Sequence, residues 1–163
     1  KRDIFDSILN HVCRLDMERS KKTGMPEDDF DKMPQPFRNT TVESVMAYMK
    51  AQFSYWTEDE TACNFRRMLT LEQYRNPEMA NLYQKVLASG PVNYIEDLFR
   101  EMMLSGTWLE GSPRQMAVEF FAPFYLLLSM SDAASGKEEK EKVAVLFTTH
   151  LECFVETYAA KMP

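Results

Sequence analysis

Histidine and cysteine carry the side chains best suited to metal binding and nucleophilic chemistry, and the chain has few of either. Its two histidines, His11 and His150, lie far apart in sequence. His150 and Cys153 share a helical face because they are three residues apart, whereas His11 and Cys13, two apart, point to different faces. Two ligands fall short of the three or four that zinc sites use. The sequence therefore predicts no metal site and indicates that His150 packs at an interface.

Nucleophilic and acid–base catalysis have no better support in the sequence. The chain contains only 5 glycines, and no P-loop, dinucleotide-binding fingerprint or nucleophile elbow occurs among them. The carboxylates at helical spacing in residues 137–142 alternate with lysines, a pattern typical of the solvated first turns of a helix. We therefore expect a protein that is not an enzyme and that binds no cofactor.

Charge, cysteine content and hydropathy limit the classes of partner that we expect the protein to bind and the cellular compartment in which we expect it. The net charge is -6, from 25 acidic and 19 basic residues, which argues against duplex DNA binding by these residues because phosphates need Lys and Arg. Three scattered cysteines imply no disulfide framework. The longest apolar run, residues 120–128, is far shorter than the ~20 residues of a membrane span, and Lys1 and Arg2 open no signal peptide. We expect a cytoplasmic protein without a membrane partner.

The elements that would position any site are helices. At 163 residues the chain suits one domain, and 12 Met and 11 Phe against 5 Gly favour helices over a turn-rich β fold. Apolar periodicity predicts an all-α bundle of about six or seven helices. The predicted segments are 2–20, 42–56, 58–75, 77–106 (bent or broken at Gly90-Pro91), 113–131 and 138–160. Residues 1–24 form the first helix with its end, and the proline-containing residues 25–41 are expected to be a flexible connection.

Polar residues at the expected helix starts predict the boundaries. Thr40 or Thr41 can cap the second helix and Thr57 the third, because a side-chain oxygen accepts a hydrogen bond from an early backbone N–H. Asn76 and Ser112 each precede a proline, which is favoured in the first helical position.

Methionine and aromatic residues recur on the inward faces of the first helices. Two interpretations remain open, since methionine fills irregular cores and also lines adaptable binding surfaces. The first is ordinary core filling. The second is an internal pocket for a small apolar or aromatic molecule between helices 2–20, 42–56, 58–75 and 92–105. We predict that such a pocket is lined by Leu9, Met46, Met49, Phe53, Trp56, Phe65, Met68, Tyr94 and Leu98.

The last two helices are more apolar than one core requires. The helix 113–131 is apolar around its whole circumference over residues 120–128, and the stripe of helix 138–160 covers about half its surface. Two copies are therefore predicted to pair as an isologous four-helix bundle, the alternative being an ordinary monomer core. The residues expected at or near this contact are Phe121, Tyr125, Leu128, Phe147, His150, Leu151 and Phe154.

Three stretches of the sequence resemble the C-terminal regulatory domain of the tetracycline-repressor (TetR) family. Residues 1–9 (KRDIFDSIL) resemble the junction after the family's recognition helix, and residues 65–79 (FRRMLTLEQYRNPEM) resemble a run before its long seventh helix. Residues 116–128 (MAVEFFAPFYLLL) resemble its eighth helix. Gly90-Pro91 departs from the family, whose seventh helix is commonly unbroken.

The resemblance implies an effector-binding and dimerisation domain of a transcriptional repressor. In that family an effector in the helical pocket moves paired DNA-reading domains away from the half-site spacing of operator DNA. The helix-turn-helix domain would precede Lys1, and the first helix of this chain would transmit the movement. The competing interpretation is a helical-bundle enzyme or a protein-interaction module.

Overall fold

Helices make up nearly all of the regular structure of the chain, as the sequence predicts. The computed structural model describes residues 2–26, 37 and 39–160, with side chains from Ser7 onward. Within these residues there are seven helices and no strand beyond one isolated β-bridge. The all-α prediction is thus confirmed. The helices are α1 Arg2–Thr23, α2 Val42–Glu58, α3 Glu60–Glu72, α4 Pro77–Leu87, α5 Ser89–Leu104, α6 Pro113–Ala133 and α7 Lys137–Tyr158.

Three of the predicted helix starts are confirmed by their capping hydrogen bonds. The Thr41 side chain accepts a hydrogen bond from a backbone N–H at the start of α2, and Asn76 and Ser112 do the same for α4 and α6. In α4 and α6 a proline follows the cap directly, where its missing N–H leaves no helical hydrogen bond unmade.

The cap predicted for α3 is wrong. Asp59, not Thr57, holds that position, and its side chain accepts from the backbone N–H of Ala62 at 2.8 Å. The Thr57 hydroxyl instead donates to the carbonyl of Phe53 at 2.7 Å, because α2 continues through Thr57 to Glu58. A threonine can bond back into its own helix as readily as forward into the next one.

The predicted bend near Gly90-Pro91 is a break between two helices. It falls at Ala88, whose φ of -128° and ψ of -96° are not helical. Pro91 then lies in the first turn of α5, where proline is tolerated. A Cβ on Gly90 would lie 1.9 Å from the Lys85 carbonyl oxygen. Glycine therefore allows the two helices to approach closely at this corner.

The helix α6 lies at the centre of the fold, packed against α2, α5 and α7. By length and composition it is apolar enough to cross a membrane, the one such helix among the described residues. In this structure 44% of that stretch is buried inside the protein.

Aromatic rings fill the space between α5, α6 and α7. Phe99, Phe120 and Phe154 contact one another with ring centroids 4.8 to 5.8 Å apart. Trp108, from the α5–α6 connection, packs on Phe99 and Phe154 and is only 2% exposed. Together with Leu151, which is fully buried on α7, these residues form what we call the C-terminal core.

The end of α7 is joined to the α5–α6 connection by backbone hydrogen bonds. Leu109 donates to the Tyr158 carbonyl at 2.8 Å, and Ala160 donates to the Thr107 carbonyl at 3.0 Å. This short antiparallel contact, centred on Trp108 and Ala159, closes the C-terminal core at one end.

The helix α1 packs mainly against α2. After α1, Met25 is buried, and the Tyr94 hydroxyl on α5 donates to the Pro26 carbonyl at 3.1 Å. Phe37 packs edge-on against Tyr94. Most of the predicted flexible connection 25–41 lies outside the described residues.

Candidate functional site

The residues predicted to line an effector pocket lie in or against the core. Met49, Phe53, Trp56, Phe65 and Leu98 are buried in it. The other four, which are half-buried and pack on its edge, are Leu9, Met46, Met68 and Tyr94. The structure therefore gathers these side chains into one packed interior.

Among the clefts at the surface of the fold, two lie beside α6. One, of about 260 Å³, lies between α2, α6 and α7, and Phe53 is the single predicted pocket residue on its wall. We call it the lysine-rimmed cleft, because Lys50, Lys137 and Lys140 surround it. The other, of about 250 Å³, lies between α4, α5 and α6. The Tyr83 and Tyr125 hydroxyls hydrogen-bond to each other at its wall.

Of the residues predicted at a dimer contact, most are covered within a single chain. Tyr125 and His150 are half-buried, and the remaining five are buried. Those five are Phe121, Leu128, Phe147, Leu151 and Phe154. An apolar run around a whole helix does not reveal which half faces its own core.

The His150 ring hydrogen-bonds to a backbone carbonyl of α6 close to the proline inside that helix. Its Nε2 lies 3.0 Å from the Phe120 carbonyl oxygen, so Nε2 carries the proton and donates it. Pro123 sits within the same stretch of α6 and has no N–H to give to the helix. This contact supports a packing role for His150 between α6 and α7.

Several apolar side chains of α6 and α7 are exposed to solvent. Four residues at intervals of four along α6 and two residues of α7 are exposed there, and we call them the outer face: Val118, Ala122, Leu126, Met130, Leu146 and Cys153. Leu126 is 61% exposed and Leu146 is 51% exposed. Pairing of Phe124 with Phe147 and of Phe120 with Phe154 sets an antiparallel register between α6 and α7.

A polar cluster joins α1 to α2. Asp16 accepts hydrogen bonds from the Tyr48 hydroxyl at 3.0 Å and from the Gln52 amide, and Arg19 lies 3.4 Å from it. Burial, then the Asp16 charge, raises the pKa of Tyr48 far above its usual value. The cluster also contains Tyr55, whose ring lies 3.7 Å from the Arg19 guanidinium. Three buried atoms of this cluster have no hydrogen-bond partner among the described residues: Arg19 Nε, Gln52 Oε1 and the Tyr55 hydroxyl.

An ionic cluster joins α3 to the end of α6, and within it the buried Arg66 Nε has no hydrogen-bond partner among the described residues. Asp132 accepts two hydrogen bonds from Arg66 on α3, at 2.7 and 2.8 Å, and two from Arg67, at 2.7 and 3.1 Å. Burial acts to raise the pKa of Asp132, but the hydrogen bonds and charges of the two arginines outweigh it, so the pKa is lowered. Sequence patterns missed this cluster because its members are more than 60 positions apart.

Histidine, cysteine and carboxylate side chains do not converge in the part of the chain that the structure describes. No group of three or more of them there is placed to hold a metal ion. His11 is exposed and hydrogen-bonds Arg14 on its own helix. The chain matches no protein-family model, no curated protein and no solved structure.

Proposed function

We propose that this chain is the effector-binding and dimerisation domain of a TetR-type transcriptional repressor, acting in the cytoplasm as a homodimer. The observation that carries the proposal is the outer face of α6 and α7. Monomeric proteins rarely expose a large contiguous apolar patch unless a partner covers it. A second copy is the simplest partner, because a twofold dimer brings the same patch of both copies together.

The proposed contact between the two copies is formed by the outer face. The core of each copy already covers Phe121, Leu128, Phe147, Leu151 and Phe154. Leu126 and Leu146 supply its most exposed leucines, and the half-buried Tyr125 and His150 flank it. A stable contact needs about 1,000 Å² of total burial. Four helices, two from each copy, supply a contact of that kind in isologous bundles.

The effector of the proposal is a small apolar or aromatic molecule that enters between α1, α2, α3 and α5. Met46 and Met68 lie half-buried at the edge of that space, and methionine side chains rearrange easily. Because the space is packed with side chains, an effector has to separate helices to enter. α1 packs mainly on α2, so it is the helix that moves when the effector separates the others. It would transmit that movement to a DNA-reading domain outside this chain.

Light scattering at micromolar concentration tests the dimer. We expect twice the chain mass for the unmodified protein and one chain mass for Leu126→Glu, since a charge at the centre of the outer face opposes pairing. Leu71→Glu on α3 is the matched control, because Leu71 is 67% exposed and belongs to a helix outside the α6–α7 pair. A monomeric unmodified chain would contradict the proposed contact and favour a protein-interaction module, whose outer face is covered by a different protein.

Thermal unfolding against a library of small apolar and aromatic compounds tests the effector role. A ligand present at 100 times its dissociation constant adds about 2.7 kcal/mol to the free energy of unfolding. Met68→Glu should abolish the stabilisation, whereas Leu104→Glu, on an exposed position of α5, should leave it intact. The proposal assigns DNA binding to a domain outside this chain. Salt-sensitive, sequence-selective binding of duplex DNA by the 163-residue chain alone would contradict it.

A further inference from the structure

The hydrogen bonds of the polar cluster around Asp16 are unevenly distributed. One carboxylate oxygen, Asp16 Oδ1, faces three donors, from Tyr48, Gln52 and Arg19. In the same cluster Arg19 Nε, Gln52 Oε1 and the Tyr55 hydroxyl are buried without a hydrogen-bond partner among the described residues, and Gln52 is only 7% exposed. Buried polar groups are nearly always hydrogen-bonded in folded proteins. Three exceptions in one cluster therefore point to a partner that enters from outside the chain.

The three unpaired atoms belong to side chains that lie close together. Arg19 and Gln52 both reach Asp16 Oδ1 with their other nitrogen atoms, Arg19 at 3.4 Å. The Arg19 guanidinium lies 3.7 Å from the centre of the Tyr55 ring. Gln52 and Tyr55 are three residues apart on α2 and so share a helical face. One small polar group can therefore serve all three atoms.

The unpaired atoms define the chemistry of that group. Arg19 Nε and the Tyr55 hydroxyl can donate, and Gln52 Oε1 can only accept. An uncharged amide is complementary to this set, because its oxygen accepts two hydrogen bonds and its N–H donates one. A carboxylate has no proton to donate to Gln52, and it would bring a second negative charge close to Asp16. An ammonium group has no acceptor for the two donors.

The cluster adjoins the space assigned above to the effector. The Tyr55 ring lies edge-on to the ring of Trp56, with centroids 5.3 Å apart, and Gln52 directly precedes Phe53 in the sequence. Trp56 and Phe53 are both among the residues predicted to line that space. The unpaired atoms have almost no exposed surface while α1 lies on α2. A ligand therefore reaches them when α1 moves away from α2.

We propose that the effector carries an uncharged amide and that the polar cluster around Asp16 binds this group. The amide oxygen accepts hydrogen bonds from Arg19 Nε and the Tyr55 hydroxyl, and the amide N–H donates to Gln52 Oε1. The apolar or aromatic part of the molecule lies beside Trp56. This inference rests on the effector role proposed above, and it adds the polar group by which the site selects one small aromatic molecule over another.

Three compounds of similar shape test the amide. Benzamide, sodium benzoate and toluene share a benzene ring and differ in the group attached to it. We expect benzamide to raise the thermal midpoint of the full chain and to bind about tenfold more tightly than toluene, which leaves all three atoms unpaired. Benzoate should also bind more weakly than benzamide, because it cannot donate to Gln52.

The outcomes separate this inference from the effector role. Binding of toluene or benzoate as tight as that of benzamide would overturn the amide and leave the effector role standing. No stabilisation by any of the three compounds would also overturn the amide, and the library screen described above would then decide the effector role by itself.

Tyr55→Phe tests whether the cluster is the site. The substitution removes a hydroxyl that has no partner among the described residues, so the thermal midpoint of the free chain should hardly change. It should weaken benzamide binding about fivefold and leave toluene binding unchanged, as measured by calorimetric titration. Tyr74→Phe is the matched control, because Tyr74 is 85% exposed and lies between α3 and α4. Unchanged benzamide affinity in Tyr55→Phe would show that the amide does not bind at this cluster.

Discussion

The C-terminal core and the α1–α2 contact are held together in different ways. In the core, rings from α5, α6 and α7 touch one another on several sides, and Leu151 is fully covered. Between α1 and α2, the polar cluster around Asp16 includes buried atoms without partners. Close-packed apolar contacts lose free energy steeply when they separate, whereas a polar contact with unmet hydrogen bonds gains from rearrangement or from water.

The difference indicates which part of the molecule moves. Local opening starts in elements with few buried apolar contacts and leaves the packed core intact. Among the described side chains of α1, from Ser7 onward, Val12 is buried in the hydrophobic core and Ile8 and Leu9 pack against it. We therefore expect amide exchange to be faster in α1 than in α6, and α1 to act as the moving element of a stable body.

Matched leucine truncations should give the largest contrast. Leu151→Ala in the C-terminal core should lower the free energy of unfolding by about 4 kcal/mol, because it leaves a cavity in a fully buried site. Leu9→Ala on α1 should cost about 1 kcal/mol, since the side chain is half-exposed. Urea unfolding measures both, and Leu104→Ala at an exposed position is the control. Equal losses at Leu9 and Leu151 would remove the distinction between the two regions.

The ionic cluster should give the next largest effect. Asp132→Asn leaves the buried Arg66 without its carboxylate and should cost about 3 kcal/mol at neutral pH. Because the pKa of Asp132 is lowered on folding, its contribution is present above its unfolded value of about 3.9 and disappears as the pH falls through the lower folded value. The unmodified chain should therefore lose more stability below about pH 4 than Asp132→Asn does. Parallel acid-unfolding curves of the two proteins would contradict the assigned role of Asp132.

Two hydroxyl deletions in the polar cluster should give the smallest effects, and they should differ. Tyr48→Phe removes a hydrogen bond to Asp16 and should cost about 1 kcal/mol. Tyr55→Phe removes a buried hydroxyl that lies near the Arg19 side chain but has no hydrogen bond of normal geometry among the described residues, so it should change stability by less than about 0.5 kcal/mol or increase it. Thermal unfolding of the two variants side by side is the measurement. A larger loss for Tyr55→Phe would show that its hydroxyl has a partner in solution.

Patterns of nearby residues predicted where the helices begin. They did not predict which side chains pack together from positions distant in sequence. Thr41, Asn76 and Ser112 mark helix starts because capping depends on residues a few positions away. Leu126 and Leu127 are identical in type and adjacent, yet one is exposed and the other buried; only the neighbouring helices decide which.

The order in which the helices contact one another has a consequence for synthesis on the ribosome. Most packing is between helices adjacent in the chain, but α2 also packs against α6 and α7. The buried side of α2, including Met49, Phe53 and Trp56, therefore stays uncovered until the C-terminal helices have been made. At about 5–20 residues per second this delay is on the order of ten seconds. During that interval the nascent chain exposes a surface that a ribosome-associated chaperone would recognise.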